Sequence, residues 1–319
     1  MALYLITGAA GFIGSNLART LLARGEKVRG IDNFSSGKRD NLVGLETMDL
    51  VAGDINDTGL MNRVCVGVDY VLHQAALPSV PRSVKDPVST HQACLSGTLS
   101  VLIAARDAKV KRVVYAGSSS AYGDSPTLPK DEEMLPRPIS PYAVAKLGGE
   151  LYMQCFWRVY GLETVTLRYF NVFGPYQDPT SFYSGVLARF TMQMLRGEQP
   201  TIFGDGEQSR DFTYIENVVE ANLLTCTAPA EKVAGMVFNA ATGTRITLNE
   251  IFRVLCDLTG YKGVPEYGPV REGDIKDSLA DISLAREALG YVPKIDFRDG
   301  LRRTVEWYRS QPAAIATQA

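Results

Sequence analysis

Histidine is almost missing from this chain: His73 and His91 are the only two in 319 residues, too few for a histidine-rich metal site. Cysteine is sparse and unpatterned, at positions 65, 94, 155, 226 and 256. Without C-x-x-C spacing these read as free thiols in a reducing cytoplasm, not as a disulfide or zinc framework. No stretch reaches the roughly 20 apolar residues of a membrane span, and the sequence opens directly on a strand-like run, so no signal peptide is expected. Charge of one sign is also lacking: 33 basic residues face 35 acidic ones. No basic cluster marks a nucleic-acid partner. Internal repeats and low-complexity segments are absent too. What remains is a soluble globular chain long enough to bury a sizeable core and hold two lobes.

Glycine, by contrast, is concentrated where it can do chemistry. Residues 2–7 (ALYLIT) form an apolar run suited to a buried parallel strand. Gly8, Gly11 and Gly14 follow in G-x-x-G-x-x-G spacing, and Ile13, Leu17, Leu21 and Leu22 then recur at helical period. A strand-to-helix turn of this kind lets a pyrophosphate approach free N–H groups at the helix start. A second apolar run, Lys27 to Ile31, ends in Asp32, eighteen residues past Gly14. A carboxylate there accepts from a ribose 2′-OH and repels a 2′-phosphate, which favours NAD over NADP.

Strands and helices alternate through the first half. Val68–His73, Arg112–Ala116 and Thr164–Tyr169 read as strands, while Val88–Ala108 and Tyr142–Tyr160 read as helices. That alternation predicts an α/β fold, a Rossmann-type doubly wound parallel sheet. Past Asn171, glycines and prolines punctuate loops around a helix from Gly185 to Leu195. The expected division is a dinucleotide-binding domain at 1–172, with a segment near 212–240 returning to it. A smaller α/β substrate-binding lobe is expected from 173–211 and 241–311, and a tail from 312–319.

Tyr142 and Lys146 form a Y-x-x-x-K pair, one helical turn apart and facing the same way. Ser118 follows the strand that ends near Gly117, where an open parallel sheet binds its ligands. A phenol is a poor base at neutral pH, but a nearby ammonium and an oxidised nicotinamide would favour the phenolate. Tyr142 is therefore the expected base for a substrate hydroxyl, Ser118 the partner of the same oxygen, and Lys146 the holder of the nicotinamide ribose. Fingerprint and pair together point to a nicotinamide-dependent enzyme.

TGAAGFIG (7–14), Gly53–Asp54–Ile55, HQAA (73–76), SSSAYG (118–123), PYAVAK (141–146) and LRYFNVFGPYQDP (167–179) together resemble the extended short-chain dehydrogenase/reductase family. Within it, the chain resembles the UDP-sugar 4-epimerases from about residue 2 to 308. The resemblance implies NAD that takes hydride from C4 of the sugar and returns it to the opposite face of the 4-keto sugar, with no net redox change. It implies cofactor contacts from Gly8, Gly11, Phe12, Ile13, Gly14, Asp32, Asn33, Ser35, Ser36, Gly37, Gln74 and Val172. Asp54 and Ile55 would meet the adenine, with Ala75, Ala76 and Tyr169 along the cofactor path. Asn171, Arg210 and Arg271 would hold the diphosphate, through the paired bonds that suit arginine. Asp274 would meet the uridine ribose, and Val186, Thr201 and Phe203 would complete the substrate site.

Departures from the family pattern narrow the reading. Related 4,6-dehydratases carry an Asp-Glu pair after the catalytic Ser/Thr, where this chain has Ser119 and Ser120. The glutamate usual in that loop of UDP-glucuronate decarboxylases is missing as well. Epimerisation remains. In the family a bulky residue three positions before the Asp of an A-D pair closes the sugar C2 pocket; here it is Ser278, before Ala280–Asp281. Pro78, Ser119, Asn171, Gln177 and Gly185 complete that pocket. The expected substrates are UDP-GlcNAc/UDP-GalNAc and also UDP-Glc/UDP-Gal. An epimerase restricted to UDP-Glc/UDP-Gal, a nucleotide-sugar reductase and a non-catalytic sensor on the same fold are the alternatives. Cys94 stands where the family commonly has Asn, three residues before the glycine of N-x-x-G-T, and its weaker hydrogen bonding implies altered cofactor retention or turnover. Leu95, Leu99, Leu102, Met153, Phe156 and Trp157 are the expected bundle face of a homodimer.

Overall fold

A computed structural model describes residues 1–179, 185–270 and 276–311. Six strands carry the first half: β1 (Leu3–Thr7), β2 (Lys27–Asp32), β3 (Asp49–Ala52), β4 (Tyr70–His73), β5 (Arg112–Ser118) and β6 (Glu163–Tyr169). With the strand Val237–Ala240 they form a seven-stranded sheet ordered Val237–Ala240, β6, β5, β4, β1, β2, β3. Every neighbouring pair is parallel. This is the expected Rossmann-type α/β sheet. Strand order reverses between β1 and β4, and that crevice is where such sheets hold ligands.

The sheet is buried on both faces. On one, Leu17, Val114, Leu167, Phe190, Phe212, Ile251 and Leu301 belong to one apolar cluster, which ties the sheet to the later part of the chain. On the other, Leu5, Val71, Val101, Val113, Met153 and Phe156 pack together. Beyond Asn171 three short pairings appear: Val172–Phe173 with Thr213–Tyr214, Thr201–Phe203 with Glu266–Gly268, and Ser209–Arg210 with Ile246–Thr247.

Two expectations need correction. The span Val88–Ala108 is not one regular helix: Pro87–His91 and Gly97–Asp107 are α-helical, but Gln92–Ser96 forms a π-helical turn. Met153, Phe156 and Leu102 do not form an outer face; they are buried in the core. The helical period turns Val144, Leu151, Cys155 and Val159 outward instead, all on one face of helix Pro141–Tyr160 and all exposed. Leu95 lies against this helix at Gly148, where an added Cβ would sit 2.9 Å from its Cδ1. Among the described residues no helix is long and apolar enough to cross a membrane. The tail 312–319 lies outside the described residues.

Candidate active site

β1 ends at Thr7, and the chain turns at Gly8 into helix Phe12–Ala23. Gly8 has φ +71°, and a Cβ there would lie 2.8 Å from the Ala75 nitrogen. A Cβ on Gly14 would lie 2.1 Å from the Gly8 carbonyl oxygen. Only glycine allows the strand end, the helix start and the Gln74–Ala75 backbone to pack so closely. Gly11 caps this helix without a side-chain bond, and its first turn has no carboxylate. Its leading N–H groups therefore suit an anion.

Asp32 closes β2 nearly buried. Its Oδ2 accepts from the Ala10 N–H at 2.8 Å, and its Oδ1 from the Phe34 N–H at 2.7 Å. These bonds fix the carboxylate beneath the 33–37 loop, and each oxygen keeps a second lone pair for a ribose hydroxyl.

A cleft of about 1750 Å³ runs along the carboxyl ends of the strands. It is lined by Gly8, Gly11, Phe12, Ile13, Gly14, Asp32, Asn33, Ser35, Ser36, Gly37, Asp54, Ile55, Gln74, Ala75, Ala76, Tyr142, Lys146, Tyr169 and Val172. Every residue expected to meet the cofactor is thus on one wall system. Pro78, Ser118, Ser119, Asn171, Gln177, Gly185, Arg210 and Ser278 line the same cleft. Val186, Thr201 and Phe203 border a side cavity of about 250 Å³ instead, which shares Asn171, Gly185 and Arg210 with the main cleft. Arg271 and Asp274 lie outside the described residues.

Helix Pro141–Tyr160 starts on Ser140, whose side chain accepts from the Ala143 N–H. This helix approaches β5 closely because Gly149 faces Tyr115; a Cβ there would lie 2.4 Å from the Tyr115 hydroxyl. The approach sets Tyr142 and Lys146 beside Ser118, the last residue of β5. Ser118 Oγ shares a hydrogen bond with Ser120 Oγ at 2.8 Å and accepts from the Ser120 N–H. In the protein alone the Tyr142 phenol lies above its ordinary value. Burial raises it and the neighbouring Cys94 adds to the rise, with Ser118 opposing. Lys146 Nζ donates to the Ala116 carbonyl at 2.8 Å and lies 4.9 Å from the Tyr115 ring centroid. Burial pushes the Lys146 pKa down.

Beneath the cleft, His73 joins three elements. Thr98 Oγ1 donates to the Cys94 carbonyl at 2.7 Å, so it accepts from His73 Nε2–H at 2.9 Å. Nδ1 then accepts from Thr7 Oγ1 at 2.7 Å, and Thr7 Oγ1 in turn accepts from the Ala75 N–H at 3.1 Å. A neutral, Nε2-protonated imidazole satisfies every partner in this chain, and burial keeps it neutral. Burial pushes its pKa down to about 3, and the Lys146 charge adds to the drop. The π-helical turn holds Cys94, the end of this chain, and Cys94 is itself fully buried.

Cleft residues missed in the sequence include Lys38, Arg82, Ser120, Lys130, Asp178 and Arg189. Ser120 was within reach of the serine run; Lys38 pairs with Asp178 at 2.7 Å across segments far apart in sequence, which no local pattern signals. Among the described residues no cluster of His, Cys, Asp or Glu could hold a metal ion.

Residues 4–241 match the NAD dependent epimerase/dehydratase family. A UDP-glucose 4-epimerase of Mycolicibacterium smegmatis is 38% identical over 312 residues, covering 96% of this chain and 98% of the relative. The structure of UDP-glucose 4-epimerase from Thermotoga maritima with UDP-glucose superposes with a TM-score of 0.93 at 40% identity, covering 97% of this chain and 99% of that one. UDP-N-acetylglucosamine 4-epimerase from Methanobrevibacter ruminantium M1, in complex with UDP-N-acetylmuramic acid, superposes at 0.92 with 40% identity and the same coverage, 97% and 99%. Turn, buried acid, Tyr–Lys helix and serine strand end occur here in one cleft, and the chain belongs to the NAD dependent epimerase/dehydratase family as an NAD-dependent enzyme.

Proposed function

We propose that this enzyme interconverts C4 epimers of UDP-hexoses, taking UDP-GlcNAc/UDP-GalNAc and also UDP-Glc/UDP-Gal. The observation that carries the reading is one cleft in which Ser118, Tyr142 and Lys146 stand beside the Gly8–Gly14 turn, while the serine loop offers no carboxylate at 119 or 120. The relatives named for UDP-glucose and UDP-N-acetylglucosamine support a UDP-sugar as the substrate.

Bound NAD supplies the acceptor, and afterwards the donor, of the hydride at the sugar C4. The chain's own residues manage the proton. Tyr142 takes it from the C4 hydroxyl and gives it back after the sugar presents its other face. Ser118 Oγ holds the same oxygen, and Lys146 binds the ribose of the cofactor. With serines at 119 and 120, the keto sugar meets no acid–base pair able to expel water across C5 and C6. Arg210 and Arg271 hold the diphosphate, Asp274 the ribose of uridine, and the side cavity of Val186, Thr201 and Phe203 receives the base. Asn171 Nδ2 lies 3.4 Å from Ser278 Oγ, and this small residue at the C2 wall leaves room for an N-acetyl group. Two copies associate through the exposed Val144, Leu151 and Val159 face.

The Tyr142→Phe variant tests the chemistry. Its turnover should fall by about a hundredfold or more, the scale of a lost acid–base group, while bound NAD stays at the wild-type level. Near-normal turnover with NAD bound rejects the phenol's role.

A further inference from the structure

We infer that Asp211, which does not line the cleft, is the positioning residue that holds the sugar and diphosphate wall in shape. The inference rests on the reading of that cleft as a UDP-sugar site. Asp211 is fully buried, and its carboxylate joins two segments distant in sequence. Oδ1 accepts from the Thr242 N–H at 3.0 Å and from Thr242 Oγ1 at 2.7 Å. Oδ2 accepts from the Gly243 N–H at 2.9 Å and the Ala280 N–H at 3.3 Å.

The backbone of the same residue reaches two substrate candidates directly. Its carbonyl accepts from Asn171 Nδ2 at 3.0 Å, and its N–H donates to Ser278 Oγ at 3.4 Å. Asn171 is held at φ +29°, a conformation unusual outside glycine, so its side-chain bond to Asp211 helps fix it. Segment 277–280 is fastened at its other end too: the Ser278 N–H donates to the Ser209 carbonyl at 3.0 Å. Arg210, between these anchors, donates through Nη1 to the Ser209 and Lys276 carbonyls at 2.9 and 2.8 Å. The carboxylate thus pins the 242–243 turn to the segment that carries Ser278, while the backbone of the same residue holds Asn171 and Ser278, with Arg210 next in the chain.

A carboxylate with four donors and no competing donor of its own is a one-way acceptor. In Asp211→Asn the shape is kept, but one oxygen becomes an NH2 facing two donors. The 242–243 turn or the 278–280 segment must then withdraw, and Ser278 moves with it. Tyr142, Ser118 and the glycine turn do not touch this node, so hydride chemistry and cofactor binding should survive.

The test measures UDP binding by calorimetry, steady-state kinetics with UDP-GlcNAc and UDP-Glc, and NAD content of the purified protein. For Asp211→Asn we expect the Kd for UDP and the KM to rise about tenfold, as for loss of bonds to a charged acceptor, with kcat within about threefold and NAD content unchanged. Thr242→Val removes one of the four donors to the carboxylate, together with the hydroxyl's local bonds to Thr244, and should shift the same quantities in the same direction by less; it decides the matter if Asp211→Asn does not fold. Unchanged UDP affinity in the variant that folds, or a kcat that falls in step with NAD content, overturns the inference. Wild-type protein that binds UDP and turns over neither sugar contradicts the epimerase reading while the UDP titration still judges Asp211.

Discussion

The hydrogen-bond chain through His73 makes acid sensitivity a quantitative consequence of the fold. Its imidazole is fully buried, and burial pushes its pKa down to about 3, against about 6.5 in an unfolded chain. Above pH 6.5 the group is neutral in both states and its neutrality costs nothing. As pH falls below 6.5 the unfolded chain takes up a proton that the folded protein refuses, so stability is lost progressively until the folded group itself titrates near 3. With these values the loss is about 2 kcal/mol at pH 5 relative to pH 8. Urea unfolding of the wild type and of His73→Gln, at pH 8 and pH 5, isolates this contribution. Glutamine remains neutral throughout, and His91 is present and exposed in both proteins. The wild type should lose about 2 kcal/mol more than the variant on going to pH 5. Parallel losses in the two proteins would refute the neutral, bridging imidazole.

Ser278→Tyr should cut UDP-GlcNAc turnover by at least about tenfold and leave UDP-Glc within about threefold, read as separate kcat/KM values; equal effects on both sugars would remove Ser278 from the C2 wall. Gly149→Ala places a methyl where the Tyr115 hydroxyl already sits, 2.4 Å away, and should cost about 1–3 kcal/mol in denaturant unfolding. A fully stable Gly149→Ala protein would show that the Tyr–Lys helix does not need its close seat on β5.

The central elements were legible because local sequence dictates them. TGAAGFIG carries its strand, turn and helix in eight residues, and the Tyr142–Lys146 spacing is a property of one helix. β3 was not legible: its apolar run, Leu50 to Ala52, is only three residues long, and no position of the strand is fully buried. The π-helical turn at Gln92–Ser96 was hidden for a different reason. Its flanks keep helical spacing, and the irregularity shows only in how Cys94 reaches the Thr98–His73 chain. The helix carries apolar residues on both sides, Met153 and Phe156 on one and Leu151 and Val159 on the other; only the packing of β5 against the first pair tells inside from outside. Asp211 escaped notice because each of its partners, at 171, 242–243 and 278–280, lies at least thirty residues away in sequence. Val186, Thr201 and Phe203 were named through resemblance as substrate residues, yet no sequence pattern indicates that they border a side cavity apart from the main cleft.

Proton NMR of UDP-GlcNAc and UDP-Glc, each incubated with the purified enzyme without added NADH, tests the account most directly. C4 epimers should accumulate from both sugars to a stable ratio with no net change in NAD. Failure to convert either sugar, with NAD bound to the protein, would contradict it; conversion of UDP-Glc alone would keep the chemistry and remove the open C2 pocket.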